Sequence, residues 1–261
     1  MLRYRIISGI IGIALVLSLL RWGRVPFFAL ISLVIVLGLN EFYRMVRRNG
    51  LRPNMVLGTV VGFSFSLAAL LRGEKGLELA LIIALVIFFF WYLLVLGKSQ
   101  ATLNCSYTAF GSLYVGFLLS YLILIRDLEN DWLLVVLILI ATWVSDSAAY
   151  VIGKLFGRTK MAPQLSPGKT WEGALAALIL TPLASAGFVY ASELSVLSRI
   201  VLGLIISTAA QIGDLVESGI KRDMGVKDTG WLIPGHGGIL DRFDSLIFSG
   251  FASYYFLKLV L

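Results

Sequence analysis

The sequence predicts an all-α integral membrane protein, a bundle of about nine transmembrane helices with a cytoplasmic N-terminus and an external C-terminus. Three observations predict this class: the apolar composition, the recurrence of long apolar runs, and the placement of charges between those runs. Hydrophobic residues make up 59% of the 261 residues and charged residues only 14%. A soluble domain is nearer half apolar and a quarter charged.

Apolar runs long enough to cross a hydrocarbon core of ~30 Å recur along the whole chain. Charged residues, Gly and Pro separate them and mark their ends. The predicted spans are Ile6–Leu20, Val25–Val46, Met55–Leu71, Leu77–Leu96, Phe110–Ile125, Trp132–Ile152, Glu172–Ser192, Ser195–Val216 and Asp241–Leu261.

The net charge of +7 comes from basic residues between the spans, so it does not indicate nucleic-acid binding. With nine spans, 15 of the 22 Lys and Arg residues fall on one side and 7 on the other. Cytoplasmic loops carry the basic excess, which predicts a cytoplasmic N-terminus. A count of eight or ten spans would scramble this bias.

The chain divides by chemistry into residues 1–125, with about five spans, and residues 126–261, with about four spans and two cytoplasmic polar loops. The first region is nearly free of acids within its spans, and Glu41 is the main exception. The last four spans instead carry acids near their inner ends, which predicts a layer of converging carboxylates. These acids are Asp146, Glu172, Asp214, Glu217, Asp241 and Asp244.

Each acid also has an ordinary structural explanation. Asp241 and Asp244 stand where helix N-terminal caps are favoured, and Glu217 and Lys221 are spaced as a helix-surface ion pair. Asp146 is harder to explain this way, because a carboxylate near the bilayer centre costs roughly 2.5–3.5 kcal/mol on insertion scales. Away from the interface it needs a cation, either a metal ion or a basic partner such as Lys169.

The first polar loop reads "GKLFGRTKMAPQLSPGKTWEG". It is not a phosphate-binding P-loop, because Pro163 stands where that motif needs a glycine. The turn ahead of the next helix can still hold a phosphate through backbone amides, the Lys169 charge and the Ser166 and Thr170 hydroxyls. The alternative is a plain capping segment with Thr170 as the N-cap.

The second polar segment, "DLVESGIKRDMGVKDTGWLIPGHGGILDRFD", is a stronger signal. Asp214, Glu217 and Lys221 share one helical face, and Asp241 and Asp244 share another. Oxygen ligands on two helix ends suit Mg²⁺, which takes one or two carboxylates together with substrate phosphates. Such a mixture of acids and bases favours a nucleoside triphosphate bound through a metal. The lone His236 is weak evidence by itself.

At this point the residues resemble the phosphatidate cytidylyltransferases, also called CDP-diglyceride synthases. The resemblance covers about the last 120 residues, whereas the first 125 residues match only in being transmembrane. The matching downstream elements are Ser218, Lys221, Arg222, Lys227, Asp228, Gly230, Pro234, His236, Gly237, Gly238, Asp241, Arg242 and Asp244. Upstream they are Asp146, Tyr150, Gly153, Phe156, Gly157, Ser166, Pro167, Lys169, Thr170, Trp171 and Glu172, with Ala148 as a mild departure.

The resemblance implies the reaction of CTP with phosphatidic acid to give CDP-diacylglycerol and diphosphate. It implies Mg²⁺ as cofactor, leaves a second cation open, and implies a homodimer in a prokaryotic inner or plasma membrane with the site facing the cytoplasm. The catalytic residues expected are Asp214, Asp241, Asp244, Lys221 and His236, and the metal ligands Asp214, Asp241, Asp244, Asp146 and Glu217. Substrate contacts are expected from Ser166, Lys169, Thr170, Glu172, Ser218, Arg222, Lys227, Asp228, Gly237, Gly238 and Arg242.

Two alternatives stay open on the sequence. A CTP-dependent kinase of a polyprenol or another lipid alcohol would share the nucleotide chemistry and differ in its product. An ion-coupled transporter would use acids within the membrane, but here the acids gather at one face, and no paired broken helices indicate inverted repeats.

Overall fold

The computed structural model describes residues 2–128, 132–190, 194–230 and 237–261. It confirms the all-α class, to which it adds one small sheet. The elements are α1 (Leu2–Trp22), α2 (Arg24–Arg48), α3 (Met55–Val95), α4 (Ala101–Gly111), a π-helical segment (Ser112–Phe117), α5 (Leu118–Asp127), α6 (Trp132–Phe156), β1 (Lys160–Ala162), β2 (Ser166–Thr170), α7 (Trp171–Gly187), α8 (Val196–Asp223) and α9 (Leu240–Val260).

The chain forms two compact units, and the first comprises residues 1–124 and 224–242. Its helices α2, α3 and α4 pack around Tyr43, whose hydroxyl donates to the Thr108 carbonyl oxygen at 2.7 Å. The glycines of the "GTVVG" stretch allow this packing, because a Cβ atom at Gly58 would collide with Tyr43 and one at Gly62 with Leu39. The stretch therefore serves helix packing inside this unit.

Helix α3 covers two of the predicted spans. Its 41 residues would extend ~60 Å if straight, about twice the thickness of a hydrocarbon core. Gly73 interrupts the helix with φ 61° and ψ −146°, a conformation that a residue with a side chain rarely adopts. The break falls between Leu71 and Leu77, where the sequence predicts the connection.

The second unit comprises residues 125–223 and 243–261, so α9 passes from the first unit into the second after Arg242. Helices α6 and α7 approach closely because Gly173 has no side chain to meet the Ala149 carbonyl oxygen. Thr170 caps α7 by accepting a hydrogen bond from the Gly173 amide at 3.2 Å. The capping interpretation of Thr170 is therefore confirmed.

A two-stranded antiparallel sheet, β1 with β2, forms in the first polar loop. The prediction of a purely helical chain with a turn here was incomplete. The segment is short, polar and interrupted by Pro163, so it shows none of the alternating polarity that predicts strands. The Trp171 amide donates to the Thr159 carbonyl oxygen at 3.0 Å, so the start of α7 follows directly from the end of the hairpin.

Five helices in the described part of the chain are long and apolar enough to cross a membrane: Arg24–Arg48, Met55–Val95, Ala101–Asp127, Trp132–Phe156 and Val196–Asp223. Two shorter apolar helices are Ile11–Trp22 and Trp171–Gly187. This agrees with an integral membrane protein. The count of nine spans and the orientation of the termini stay predictions, and Ser192, the predicted end of one span, lies outside the described residues.

Candidate active site

Four of the predicted acids come together in the second unit. Asp146 on α6 interacts electrostatically with Asp244 on α9 and with Asp214 on α8. Asp244 also lies near Glu217 on α8. Neighbouring carboxyl groups repel one another when both are ionised, so such a group of acids favours a proton or a cation among them. The sequence predicted that acids near the inner ends of the last four spans would converge, and these four acids do lie near one another.

Two lysines enter this cluster. The Lys169 ammonium lies 2.9 Å from Asp214 Oδ2 and interacts electrostatically with Asp146. The Lys221 ammonium lies 3.5 Å from Glu217 Oε1, four residues earlier on α8. The spacing of this pair is as predicted, but it is no surface pair, because Glu217 is fully buried. We call Asp146, Asp214, Glu217, Asp244, Lys169 and Lys221 the acid–lysine cluster.

Hydroxyl groups hold two of the acids. Ser245 is buried and directly follows Asp244 in the sequence. Its hydroxyl donates to Asp146 Oδ1 at 3.0 Å. Sequence analysis did not predict a role for Ser245. The only indication of such a role was its position in the first turns of α9, immediately after Asp244 and four residues after Asp241. Ser218 Oγ donates to Asp214 Oδ1 at 3.3 Å, so in the structure this hydroxyl contacts an acid. Its predicted contact with substrate stays a prediction.

Gly213 brings α8 and α9 together beside the cluster. A Cβ atom at this position would lie 2.5 Å from the backbone oxygen of Asp244, a distance that real carbon atoms do not tolerate. Gly213 directly precedes Asp214. The close approach of the two helices therefore occurs where two of the acids sit.

Accessible surface distinguishes the members of the cluster. Asp146 is exposed, and the side chains of Lys169 and Asp214 are 20% and 38% exposed. Glu217 is the buried member. The ammonium of Lys169 is itself buried, so the members of the cluster that a ligand can meet from outside are Asp146 and Asp214.

The first polar loop gives other predicted residues local structural partners. Glu172 accepts hydrogen bonds from the Thr159 amide at 3.0 and 3.3 Å. Arg222 Nε donates to the Leu165 carbonyl oxygen at 3.1 Å, so the end of α8 is tied to the hairpin loop. Ser166 lies on β2, three residues before Lys169.

Asp241 lies in the first unit with different partners. Its Oδ2 accepts three hydrogen bonds: from the Thr229 amide at 3.0 Å, the Thr229 hydroxyl at 2.9 Å and the Gly238 amide at 2.8 Å. Gly237 next to it has a positive φ of 81°. Asp241 lies in the first turn of α9 as predicted, but its partners precede the helix, so it does not act as an N-terminal cap, and its metal role stays a prediction.

The remaining predicted residues lie at the surface of the protein or outside the described residues. Lys227, Asp228 and Arg242 are exposed, and their contacts with substrate stay predictions. His236 and Pro234 lie outside the described residues. Within the described ranges, no three His, Cys, Asp or Glu side chains converge as a ready-made metal site.

The sequence matches the Cytidylyltransferase family over residues 3–260. It is 36% identical to a phosphatidate cytidylyltransferase of Synechocystis sp., covering 98% of this chain and 97% of the relative. The enzyme of the same name from Bacillus subtilis is 31% identical, covering 99% and 98%. That of Haemophilus influenzae is 33% identical, covering 98% and 99%.

The match therefore extends through the N-terminal helices, well beyond the polar segments that carry the sequence resemblance. Full-length coverage of the relatives at this identity, together with the acid–lysine cluster, leads to one conclusion: the chain belongs to the cytidylyltransferase family.

Proposed function

We propose that the chain is a phosphatidate cytidylyltransferase, which converts CTP and phosphatidic acid into CDP-diacylglycerol and diphosphate. The observation that carries this proposal is the acid–lysine cluster in a membrane chain of this family. The similarity to three bacterial phosphatidate cytidylyltransferases supports the same reaction. The two substrates are a nucleotide and a lipid, both anionic at the reacting end.

The reaction needs no protein nucleophile. A phosphate oxygen of phosphatidic acid attacks the α-phosphorus of CTP, and a new P–O bond forms. The bond from that phosphorus to the oxygen bridging to the β-phosphorus breaks, and diphosphate leaves with the electron pair. Catalysis then consists of holding two polyanions in line and stabilising the charge on the leaving group.

We assign these tasks in part to the lysines of the cluster. The Lys169 ammonium is paired with Asp214 at 2.9 Å and is buried, so an entering phosphate would have to replace Asp214 as its partner. Lys221 brings a second charge from the adjacent helix. We assign further phosphate contacts to Arg222, Lys227 and Arg242, which supply the positive charge that a triphosphate and a lipid phosphate require.

Magnesium fits the donor chemistry of the cluster. Four carboxyl groups face two lysines, so the cluster carries excess negative charge when its acids are ionised, and a triphosphate would be repelled from it. Mg²⁺ takes one or two carboxylates and completes its shell with water and substrate phosphates, which suits acids that do not enclose an ion by themselves. We propose that one or two of the carboxylates of Asp214, Asp244, Asp146 and Glu217 are its ligands. When bound, it would neutralise charge on the phosphates.

The placement in the membrane is also part of the proposal. We infer nine spans, a cytoplasmic N-terminus, and a site facing the cytoplasm of a prokaryotic inner membrane, because 15 of 22 basic residues then lie on the inner side. CTP is available on that side. We also propose a homodimer on the family resemblance.

The test is transfer of label from [α-³²P]CTP into the lipid phase by detergent-purified protein, with and without phosphatidic acid and Mg²⁺. Label in an organic-extractable product that depends on both additions supports the proposal. Transfer from [γ-³²P]CTP to a lipid alcohol would instead establish a kinase. No transfer from either would reopen the transporter alternative.

A further inference from the structure

We propose that Glu41, in the N-terminal half of the chain, is a positioning residue for residues 229–230 and 237–241, which we call the segment. This inference rests on the proposed function only for its activity readout. The segment includes several of the residues that carry the family resemblance, and it belongs to the same compact unit as Glu41.

Glu41 is buried in α2 and is 4% exposed. Its Oε2 accepts a hydrogen bond from the Leu240 amide at 3.0 Å, across 199 residues of sequence. The Thr229 hydroxyl lies 3.3 Å from the same oxygen and 2.9 Å from Asp241 Oδ2. One glutamate thus contacts both parts of the segment, Thr229 in the first and Leu240 in the second.

The contact with Leu240 replaces a missing helix cap. Helix α9 begins at Leu240, and the residue before it is Ile239, which has no side-chain acceptor for the free amides of the first turn. Glu41 supplies an acceptor from another helix, and its negative charge suits the positive end of the helix dipole. The start of α9 is therefore determined by a residue of the N-terminal half.

Two glycines of the segment make room for this carboxylate. A Cβ atom at Gly230 would lie 2.5 Å from Glu41 Oε1, and one at Gly238 would collide with Glu41 Oε2. Gly230 and Gly238 are both among the residues that carry the family resemblance. The nearby Glu41 carboxylate explains why neither position has room for a side chain. Glu41 therefore packs directly against the backbone of the segment at Gly230 and Gly238.

Packing alone does not explain a glutamate at position 41. Its Oε1 is buried and makes no hydrogen bond with any described residue. Burial of a carboxylate is unfavourable unless it is well paired, so an apolar or amide side chain would fill the space at lower cost. The chemistry that a carboxylate adds here is its contact with the Leu240 amide and the Thr229 hydroxyl, which hold a segment containing predicted catalytic and substrate-binding residues.

The first experiment compares Glu41→Ala and Glu41→Gln with the matched control Tyr43→Phe. Tyr43 is a buried polar residue of the same helix whose hydroxyl contacts Thr108 and Ser112, away from the segment. We expect Glu41→Ala to lower kcat about 100-fold, as misplacement of a site does. Glu41→Gln keeps an acceptor oxygen and should lose only about 5-fold, while Tyr43→Phe should keep kcat.

Hydrogen–deuterium exchange of the purified protein provides a readout that does not depend on activity. Glu41→Ala should speed exchange of the Gly238 and Leu240 amides, whereas Tyr43→Phe should leave them protected even if its Tm falls as far. If both variants lose kcat and protection in proportion to their loss of Tm, Glu41 is merely structural and the proposal is overturned. If the wild-type chain transfers no cytidylyl group, the proposed function fails, and exchange still decides the role of Glu41.

A double-mutant cycle with Gly230→Ala tests the contact itself. In the wild-type background the new methyl group meets Glu41 Oε1, so we expect a loss of activity of about 10-fold or more. In the Glu41→Ala background the obstacle is gone, and the same change should have little further effect. Independent, multiplicative losses would show that Gly230 does not pack against Glu41, and would overturn the proposal.

Discussion

The two compact units each gather carboxylates, but they surround them differently. In the first unit, Asp241 and Glu41 accept hydrogen bonds from backbone amides and from the Thr229 hydroxyl. In the second unit, Asp146, Asp214 and Asp244 have lysines and other carboxyl groups as neighbours in addition to groups of Ser218 and Ser245. Acids satisfied by amides hold a backbone in place, whereas acids crowded against one another, with accessible surface, are available to a ligand.

The largest effect that this comparison predicts is that of Asp244→Asn. It removes a charge from the acid–lysine cluster while keeping the shape of the side chain. We expect turnover in the [α-³²P]CTP assay to fall at least ~10³-fold, the scale of losing a group that stabilises transferring charge. The Tm should change little. Glu78→Gln, at an exposed acid of α3, is the matched control and should keep full activity.

Asp241→Asn tests whether an acid of the first unit differs from Asp244 in its effect on stability. Turnover should also be lost, since Asp241 is a predicted metal ligand, but here the Tm should fall by several degrees because three charge-assisted hydrogen bonds weaken. Activity and thermal unfolding are measured on the same preparation. Retained turnover with normal expression would remove Asp241 from the metal ligands and leave it a purely structural residue of the first unit.

The next effect is that of Lys169→Met, which removes the cation beside Asp214 and Asp146. We expect kcat/KM for CTP to fall about 100-fold, equivalent to about 2.7 kcal/mol of lost transition-state stabilisation. Steady-state kinetics with varied CTP measures this. Lys75→Met changes an exposed lysine of α3 and should leave the value unchanged. An unchanged kcat/KM in Lys169→Met would contradict a phosphate-binding role.

A smaller effect is expected from Gly213→Ala, where the new methyl group would meet the Asp244 backbone. Displacing α9 from α8 should cost about 1–3 kcal/mol of stability and lower activity about 10-fold by misplacing the acids. Gly219→Ala is the control on the same helix, because its Cβ atom would find its nearest neighbour, Leu165 Cδ2, only at 3.9 Å. That variant should be neutral or slightly stabilised. Equal behaviour of the two would exclude a special role for the close approach at Gly213.

Much of this architecture follows from local sequence patterns. The break of α3 at Gly73 and the capping by Thr170 are governed by backbone and short-range chemistry. The meeting of Asp146 with Asp214 and Asp244 could be predicted because spans of similar length place acids at similar depths. These features need no knowledge of which helices are neighbours.

Two of the features that sequence analysis missed depend on contacts between distant segments. Glu41 caps a helix that begins 199 residues later, and Ser245 donates to Asp146 across 99 residues. For both, the missing information was the identity of the packing partner. The hairpin of β1 and β2 is a local feature, but it is too short and polar to show a strand pattern.

The smallest predicted effect belongs to Ser245→Ala, which removes the hydroxyl that donates to Asp146 at 3.0 Å. Because Asp146 keeps its charge and its neighbouring Lys169, we expect kcat to fall only about 3- to 10-fold, the equivalent of one hydrogen bond of about 1 kcal/mol. Ser249→Ala is the matched control one turn further along α9, since its buried hydroxyl bonds to Thr142 at 3.0 Å away from the acids. The control should lose similar stability but keep kcat. A loss in both variants would mean that the serines of α9 act through packing, and that the orientation of Asp146 does not limit the reaction.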